Sequence, residues 1–313
     1  MVLNYVIIVF MNIGLHDSDK TRFPNLALMK LSAYHKGLGD TVSFFSSFER
    51  YDKIYSSKVF TFTSQDPFLY GNSIEKGGTG YDLISVLPDR IEHVCPDYSL
   101  YGINYSMGFL TRGCIRNCSF CVVQKKEGAI REHADIEEFL RHKSVILLDN
   151  NVLAHSHGLS QIQKIEKLGV KIDFNQGLDS RLIDMQIAKT ISRLKWIRFI
   201  RTACDNKSQI PAVKKAIENL AKCGVKPYRI FCYLLVDDID DAYERTEILR
   251  ELGVDIFAQP YRDIESNKDP SYKQKEFARW VNHKAIFKST RWHDYKKKYD
   301  NLPELKAAGQ LVF

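Results

Sequence analysis

Between Tyr105 and Pro260 the chain alternates six times between a short β-rich apolar run and a longer stretch with helical spacing. The short runs are YSMGFLTR, KSVILLDNN, VKIDFNQG, WIRFIRTA, PYRIFCYLLV and VDIFAQP. Between them lie DIEEFLRH, HGLSQIQKIEKLG, LIDMQIAKTISRLK, IPAVKKAIENLAKCG and DDAYERTEILRELG. This pattern leaves few choices of fold, because consecutive parallel strands need a crossover of about a dozen residues or more and a helix supplies it. Gly169, Gly224 and Gly253 stand where three of these helices should stop, a common place for glycine. Eight such units close a barrel of about 250 residues. Six units predict an incomplete (β/α)6 TIM-like barrel, open along one side, with its chemistry at the C-terminal ends of the strands.

The section before it, Met1 to about Tyr101, offers the strand candidates YVIIVF, TVSFFSS, KVFTFTS and YDLISVLP and one clear helix, NLALMKLSAYHKGLG. It reads as a small doubly wound, Rossmann-like α/β domain. The expected division is 1–100 for that domain, 101–265 for the partial barrel and 266–313 for a basic, aromatic helical extension. The longest apolar run, Tyr5–Met11, is too short to cross a bilayer. It also lacks the basic start and small-residue cleavage site of an export signal. A cytoplasmic protein with no membrane partner is expected, with its thiols reduced or metal-bound.

The net charge is +7, and from Pro270 onward ten Lys/Arg stand against four Asp/Glu. The same segment carries Trp280, Trp292, Tyr295 and Tyr299, and the run Lys296–Lys298. Two readings stand side by side: a surface for a phosphate-rich partner such as nucleic acid, or a solvated amphipathic helix at a domain end.

Three of the seven cysteines fall inside TRGCIRNCSFC, as Cys114, Cys118 and Cys121. They follow the first barrel strand, where a barrel keeps its active site. A structural zinc site takes four protein ligands, and an iron–sulfur cluster is usually held by four thiolates. Three thiols leave one coordination position for something else. A zinc site completed by Cys95 or a histidine is the alternative.

The C-x3-C-x2-C spacing, the TRG before it and the βα units around it resemble the radical S-adenosylmethionine superfamily. The resemblance implies that the three cysteines hold a four-iron, four-sulfur cluster whose fourth iron is chelated by S-adenosylmethionine. It also implies that reductive cleavage yields a 5′-deoxyadenosyl radical that takes hydrogen from a substrate. Phe120, just before the last cysteine, would pack beside the adenine. A reductant such as flavodoxin or ferredoxin is implied as partner. PDYSLYGINYSMGFLTRGCIRNCSFC and FPNLALMKLSAYHKGLGDTVSFF look like the linker and opening helix of the subgroup with an N-terminal cobalamin-binding-type domain. The D-x-H-x-x-G motif of that domain is absent, and GLHDSD offers His16 in another context, so cobalamin is not expected. The methylthiotransferase branch carries three further N-terminal cysteines, whereas only Cys95 precedes Cys114 here.

Other strand ends would supply the cofactor pocket. Asp149 and Asn150 fall where the family places the group that binds the methionine amino nitrogen, although its GGE is missing; a helix-capping loop is the alternative. Asn175, Gln176, Asp179 and Arg181 follow the third strand, and Arg201 and Asp205 lie at the fourth. Arg201 suits a carboxylate clamp or a buried ion pair. Gln259, Tyr261 and Arg262 end the sixth strand. Cys204, Cys223 and Cys232 read as small buried hydrophobes, and His155 and His157 as surface loop or cap. The expected function is a radical enzyme acting on an unidentified substrate. The alternatives are a metal-stabilised nucleic-acid-binding protein and an iron–sulfur electron carrier.

Overall fold

The computed structural model describes residues 10–263 and 268–295. The YVIIVF strand candidate, apart from Phe10, lies outside the described residues, as do Lys296–Lys298 and Tyr299. The chain divides into two compact units, Met1–Ile172 and Asp173–Phe313.

The first unit opens with β1 (Asn12–Asp17), α1 (Leu26–Gly37), β2 (Thr41–Phe44), β3 (Lys53–Ser57), β4 (Ile74–Gly77) and the single turn α2 (Asp89–Glu92). The four strands form a parallel sheet in the order β2-β1-β3-β4. Ile13, Leu15 and Tyr55 of the sheet pack with Leu28 and Leu31 of α1 and with Ile91. Asn25 caps α1 by accepting from the Leu28 N–H at 3.2 Å, the usual role of Asn there.

Two strand candidates are corrected. In KVFTFTS the chain turns rather than runs as a strand. The Asp19 carboxylate takes the Val59 N–H at 2.6 Å, the Phe60 N–H at 3.3 Å and the Thr63 hydroxyl at 2.5 Å. Donors satisfied in this way no longer need a neighbouring strand. In YDLISVLP, Asp82 takes the Ile84 N–H at 2.7 Å and both the N–H and the hydroxyl of Ser85, which makes a turn. The strands that do form, β1, β3 and β4, are shorter and more polar.

The first unit continues through β5 (Ser106–Gly108), β6 (Thr111–Arg112), α3 (Val123–Lys126), β7 (Arg131–Glu132), α4 (Ile136–Phe139), β8 (Ser144–Leu147) and α5 (Ser156–Leu168). β5 pairs in parallel with β8, and β6 pairs antiparallel with β7. β9 (Lys171–Phe174) carries the chain across the border between the units.

The second unit contains α6 (Met185–Arg193), β10 (Lys195–Trp196), β11 (Ile200–Ala203), α7 (Ile210–Lys222), β12 (Ile230–Val236), α8 (Ile239–Glu251), β13 (Asp255–Pro260), α9 (Tyr272–Asn282) and α10 (Lys284–Ser289). β11, β12 and β13 form a parallel sheet in chain order. Along β12 burial alternates strictly, with Ile230, Cys232, Leu234 and Val236 inside, as a period-two strand requires. Each of the six predicted runs contains a strand, and each predicted helical stretch contains a helix, α4 being a single turn. Gly169, Gly224 and Gly253 all have positive φ at the helix ends. The fold is mixed α/β with mostly parallel sheets, and the described strands close no barrel.

Phe277, Trp280, Trp292 and Tyr295 of the C-terminal segment are core, whereas Tyr272 is exposed. Trp280 is fully buried, and Trp292 and Tyr295 are buried beside it. Trp280 lies 5.4 Å from Phe277, 5.0 Å from Phe287 and 5.6 Å from Trp292, ring centre to ring centre. The Arg250 guanidinium stacks over Phe287 at 3.9 Å.

Candidate metal centre at the cysteine loop

β6 ends at Arg112, and the chain then enters the cysteine loop through Gly113. Its φ is +80°, and a Cβ there would meet the carbonyl oxygens of Ala129 and Gly128 at 2.4 and 2.6 Å. Only glycine fits this entry. The loop closes on itself: the Cys114 N–H donates to the Gly128 carbonyl at 3.3 Å, and the Gln124 side-chain amide donates to the Cys114 carbonyl. Within the loop the Cys121 N–H donates to the Cys118 carbonyl at 3.0 Å. The Arg116 N–H points at the Cys114 sulfur from 3.3 Å. All three thiols are half-buried, and none of the seven cysteines is in a disulfide. Phe120 is half-buried on the same loop.

The segment after β8 reaches this loop with three successive side chains. Asp149, 3 % exposed, accepts the Thr111 N–H at 2.6 Å, the Thr111 hydroxyl at 2.7 Å and the Leu110 N–H at 3.1 Å. Burial pushes its carboxyl up to about 6, against the pull of those donors. The Asn150 amide donates to Glu127 Oε2 at 2.8 Å. The Asn151 amide lies 3.5 Å from the Cys114 sulfur. The Asp149 carboxylate is thus spent on holding the strand that leads into the cysteines.

The chain matches no family model, and no curated protein is significantly similar to it. The chemistry of the loop therefore has to be judged on its own donors. Three soft thiols within eight residues are the donor set that iron–sulfur and zinc centres use, so the residues present fit such a group in kind. Among the described residues no three His, Cys, Asp or Glu side chains are drawn together as a ready-made metal cage.

The other candidates divide by unit. In the second unit, Arg201 grips Asp173 bidentately at 2.6 and 2.8 Å and donates to the Tyr233 hydroxyl at 2.9 Å. That hydroxyl in turn donates to the Asn175 carbonyl at 2.9 Å. Gln176 is exposed. Arg181 chelates Asp179 at 2.6 and 3.1 Å. Burial raises the Asp205 carboxyl to about 6. Gln259 is exposed, the Tyr261 N–H donates to the Val236 carbonyl at 2.8 Å, and Arg262 pairs with Asp269. Cys204 and Cys232 are buried; burial pushes the first thiol up to about 12 and the second well above its ordinary value. Both act as small hydrophobes.

In the first unit, His155 caps α5. The His157 ring lies 3.0 Å from the Ala134 carbonyl. Cys95 packs against the cluster of Met29, Tyr98 and Met107. His16 is buried, with Nδ1 2.8 Å from Ser56 Oγ and Nε2 3.3 Å from Asp66. Both ring nitrogens have protein partners. Sequence reasoning missed Glu127, Gln124 and Asn151 around the loop. The only signal for the first was the Glu127–Gly128 pair, a turn of the chain shortly after the last cysteine.

Proposed function

We propose that the chain is a radical S-adenosylmethionine enzyme whose Cys114, Cys118 and Cys121 hold a four-iron, four-sulfur cluster. In this reading the six βα units form the incomplete barrel, and the parallel sheet before them is of the cobalamin-binding type without its cobalt ligand. The protein works in the cytoplasm with a flavodoxin- or ferredoxin-class reductant. The observation that carries the reading is the thiol loop itself. It is rooted at a strand end through a glycine-only turn, and the segment after the next parallel strand holds it from below. When bound, such a cluster supplies the electron that splits S-adenosylmethionine and releases a hydrogen-abstracting radical. The chain's own residues prepare the thiols. The Arg116 N–H and the Asn151 amide both point at the Cys114 sulfur, and donors to cluster sulfurs are a lever on reduction potential.

Anaerobic reconstitution tests the proposal. The expected result is about four irons per chain by the cluster stoichiometry, together with reductive cleavage of S-adenosylmethionine to methionine and 5′-deoxyadenosine. One zinc per chain with no cleavage would replace this reading with the metal-stabilised binding protein. Iron without cleavage would replace it with the electron carrier.

A further inference from the structure

Three donors converge at the base of the cysteine loop, and one carboxylate answers them. Glu127, just past α3, accepts the Gly113 N–H at 2.9 Å and the Asn150 amide at 2.8 Å on Oε2. Its Oε1 lies 3.4 Å from Arg112 Nη1, and both side chains are largely buried. Arg112 in turn stacks over Phe109 at 4.0 Å. The two ends of the loop, Gly113 and Glu127, are therefore joined by a charge-assisted hydrogen bond, the stronger kind. The same carboxylate ties them to the segment after β8. A carboxylate is acceptor-only and has room for several donors. An amide in its place would turn an N–H toward other N–H groups.

We infer that Glu127 is the positioning residue of the cysteine loop: it fastens the loop base so that Cys114, Cys118 and Cys121 stay on one short arc before any metal arrives. The inference rests on reading this loop as the cluster-binding one. Its geometric content, a loop held shut by one carboxylate, stands apart from what the thiols bind. The division of donors between the two oxygens separates two variants. In Glu127→Gln the side-chain oxygen can stand where Oε2 stands and keep both the Gly113 N–H and the Asn150 amide, so that only the Arg112 contact on Oε1 is lost. Glu127→Ala removes the acceptor for all three donors.

The experiment uses the full chain in three forms: wild type, Glu127→Gln and Glu127→Ala. In the metal-free protein, trypsin cleavage of the Arg116–Asn117 bond under native conditions reads how often the loop opens. A hydrogen bond to a charged group corresponds to roughly a tenfold change in an opening equilibrium. The Ala variant should therefore be cut roughly ten times faster than wild type, and the Gln variant, which keeps the Gly113 and Asn150 bonds, should stay close to wild type. Iron uptake on anaerobic reconstitution should follow the same order. Equal cleavage rates in wild type and the Ala variant, with unchanged thermal melts, overturn the inference. If the Ala variant melts early, the Gln variant decides: one that folds normally and is cut as fast as the Ala variant also overturns it. A wild type that takes up no iron while the cleavage pattern holds sinks the cluster reading and leaves the positioning role standing.

Discussion

Replacing Asp149 by Asn should remove one specific pH dependence of stability. In the fold this carboxyl is raised from 3.8 to about 6 by burial. The folded chain therefore binds more protons than the unfolded chain between those two values, and stability falls as pH rises through that window. At about 1.4 kcal/mol for each tenfold in proton affinity, the ionised carboxylate costs the fold about 3 kcal/mol above pH 6. Asn can place its oxygen where Oδ1 now stands and keep the Thr111 N–H, the Thr111 hydroxyl and the closer Leu110 contact. It loses only the bond from the Leu110 N–H to Oδ2 at 3.2 Å, where its own N–H groups now point at a donor. That loss is independent of pH, so the diagnostic is the slope rather than the absolute stability. Urea unfolding of both proteins from about pH 4 to about pH 7 gives the measurement. Relative to Asp149→Asn, the wild type should lose about 3 kcal/mol across the range. Asp205, also raised to about 6, and His16, which shifts the other way, are present in both proteins and cancel. Parallel pH curves, or a wild type that gains on the variant as pH rises, would refute the account of Asp149 as a buried charge held at a cost.

Changing Cys114, Cys118 or Cys121 singly to Ala should abolish iron uptake and the cluster absorption, whereas Cys95→Ala should leave both intact; equal loss in the fourth variant would reassign the ligands. Trp280→Ala should cost about 3–5 kcal/mol, as removal of a fully buried large aromatic does, read as a fall in the unfolding free energy; a cost below about 1 kcal/mol would show that the C-terminal segment is not core. Arg201→Met should cost roughly 3–5 kcal/mol by stranding the Asp173 charge, and adding Asp173→Asn should recover much of it, whereas additive losses would dissolve the ion pair as a unit. His16 is lowered from 6.5 chiefly by burial, with the Asp66 hydrogen bond opposing. Its contribution to stability should be present above 6.5 and lost as pH falls below that value, and a ring-proton titration by NMR with a midpoint above 6.5 would contradict this.

Periodicity and punctuation are local properties, and where they governed the backbone the sequence could be read directly. All six runs of the βα region hold strands because their backbone donors meet a neighbouring strand and one face of each is apolar. Asp19 and Asp82 show where such reading ends. Val59–Thr63 has the alternation of a strand, yet a carboxylate forty residues earlier claims its donors. Nothing within the segment itself carries that information. Conversely, Asn12–Asp17 looks too polar for a buried strand, and it is one because His16 finds Ser56 on the adjacent strand. The candidate site divides in the same way. The cysteine spacing is local and legible. The partners of those cysteines are not, because Glu127 meets Gly113 where β6 pairs with β7, and Asn150 and Asn151 reach the loop only once β8 lies beside β5. Asp149 marks the difference most sharply. Its position in LLDNN invites a role toward a ligand, but the structure spends its carboxylate on Thr111 and Leu110, the two residues that lead into the loop. If the loop binds what its thiols suit, Asp149 acts by fixing the strand from which those thiols hang, and its removal should be felt in the order of the loop before it is felt in any chemistry.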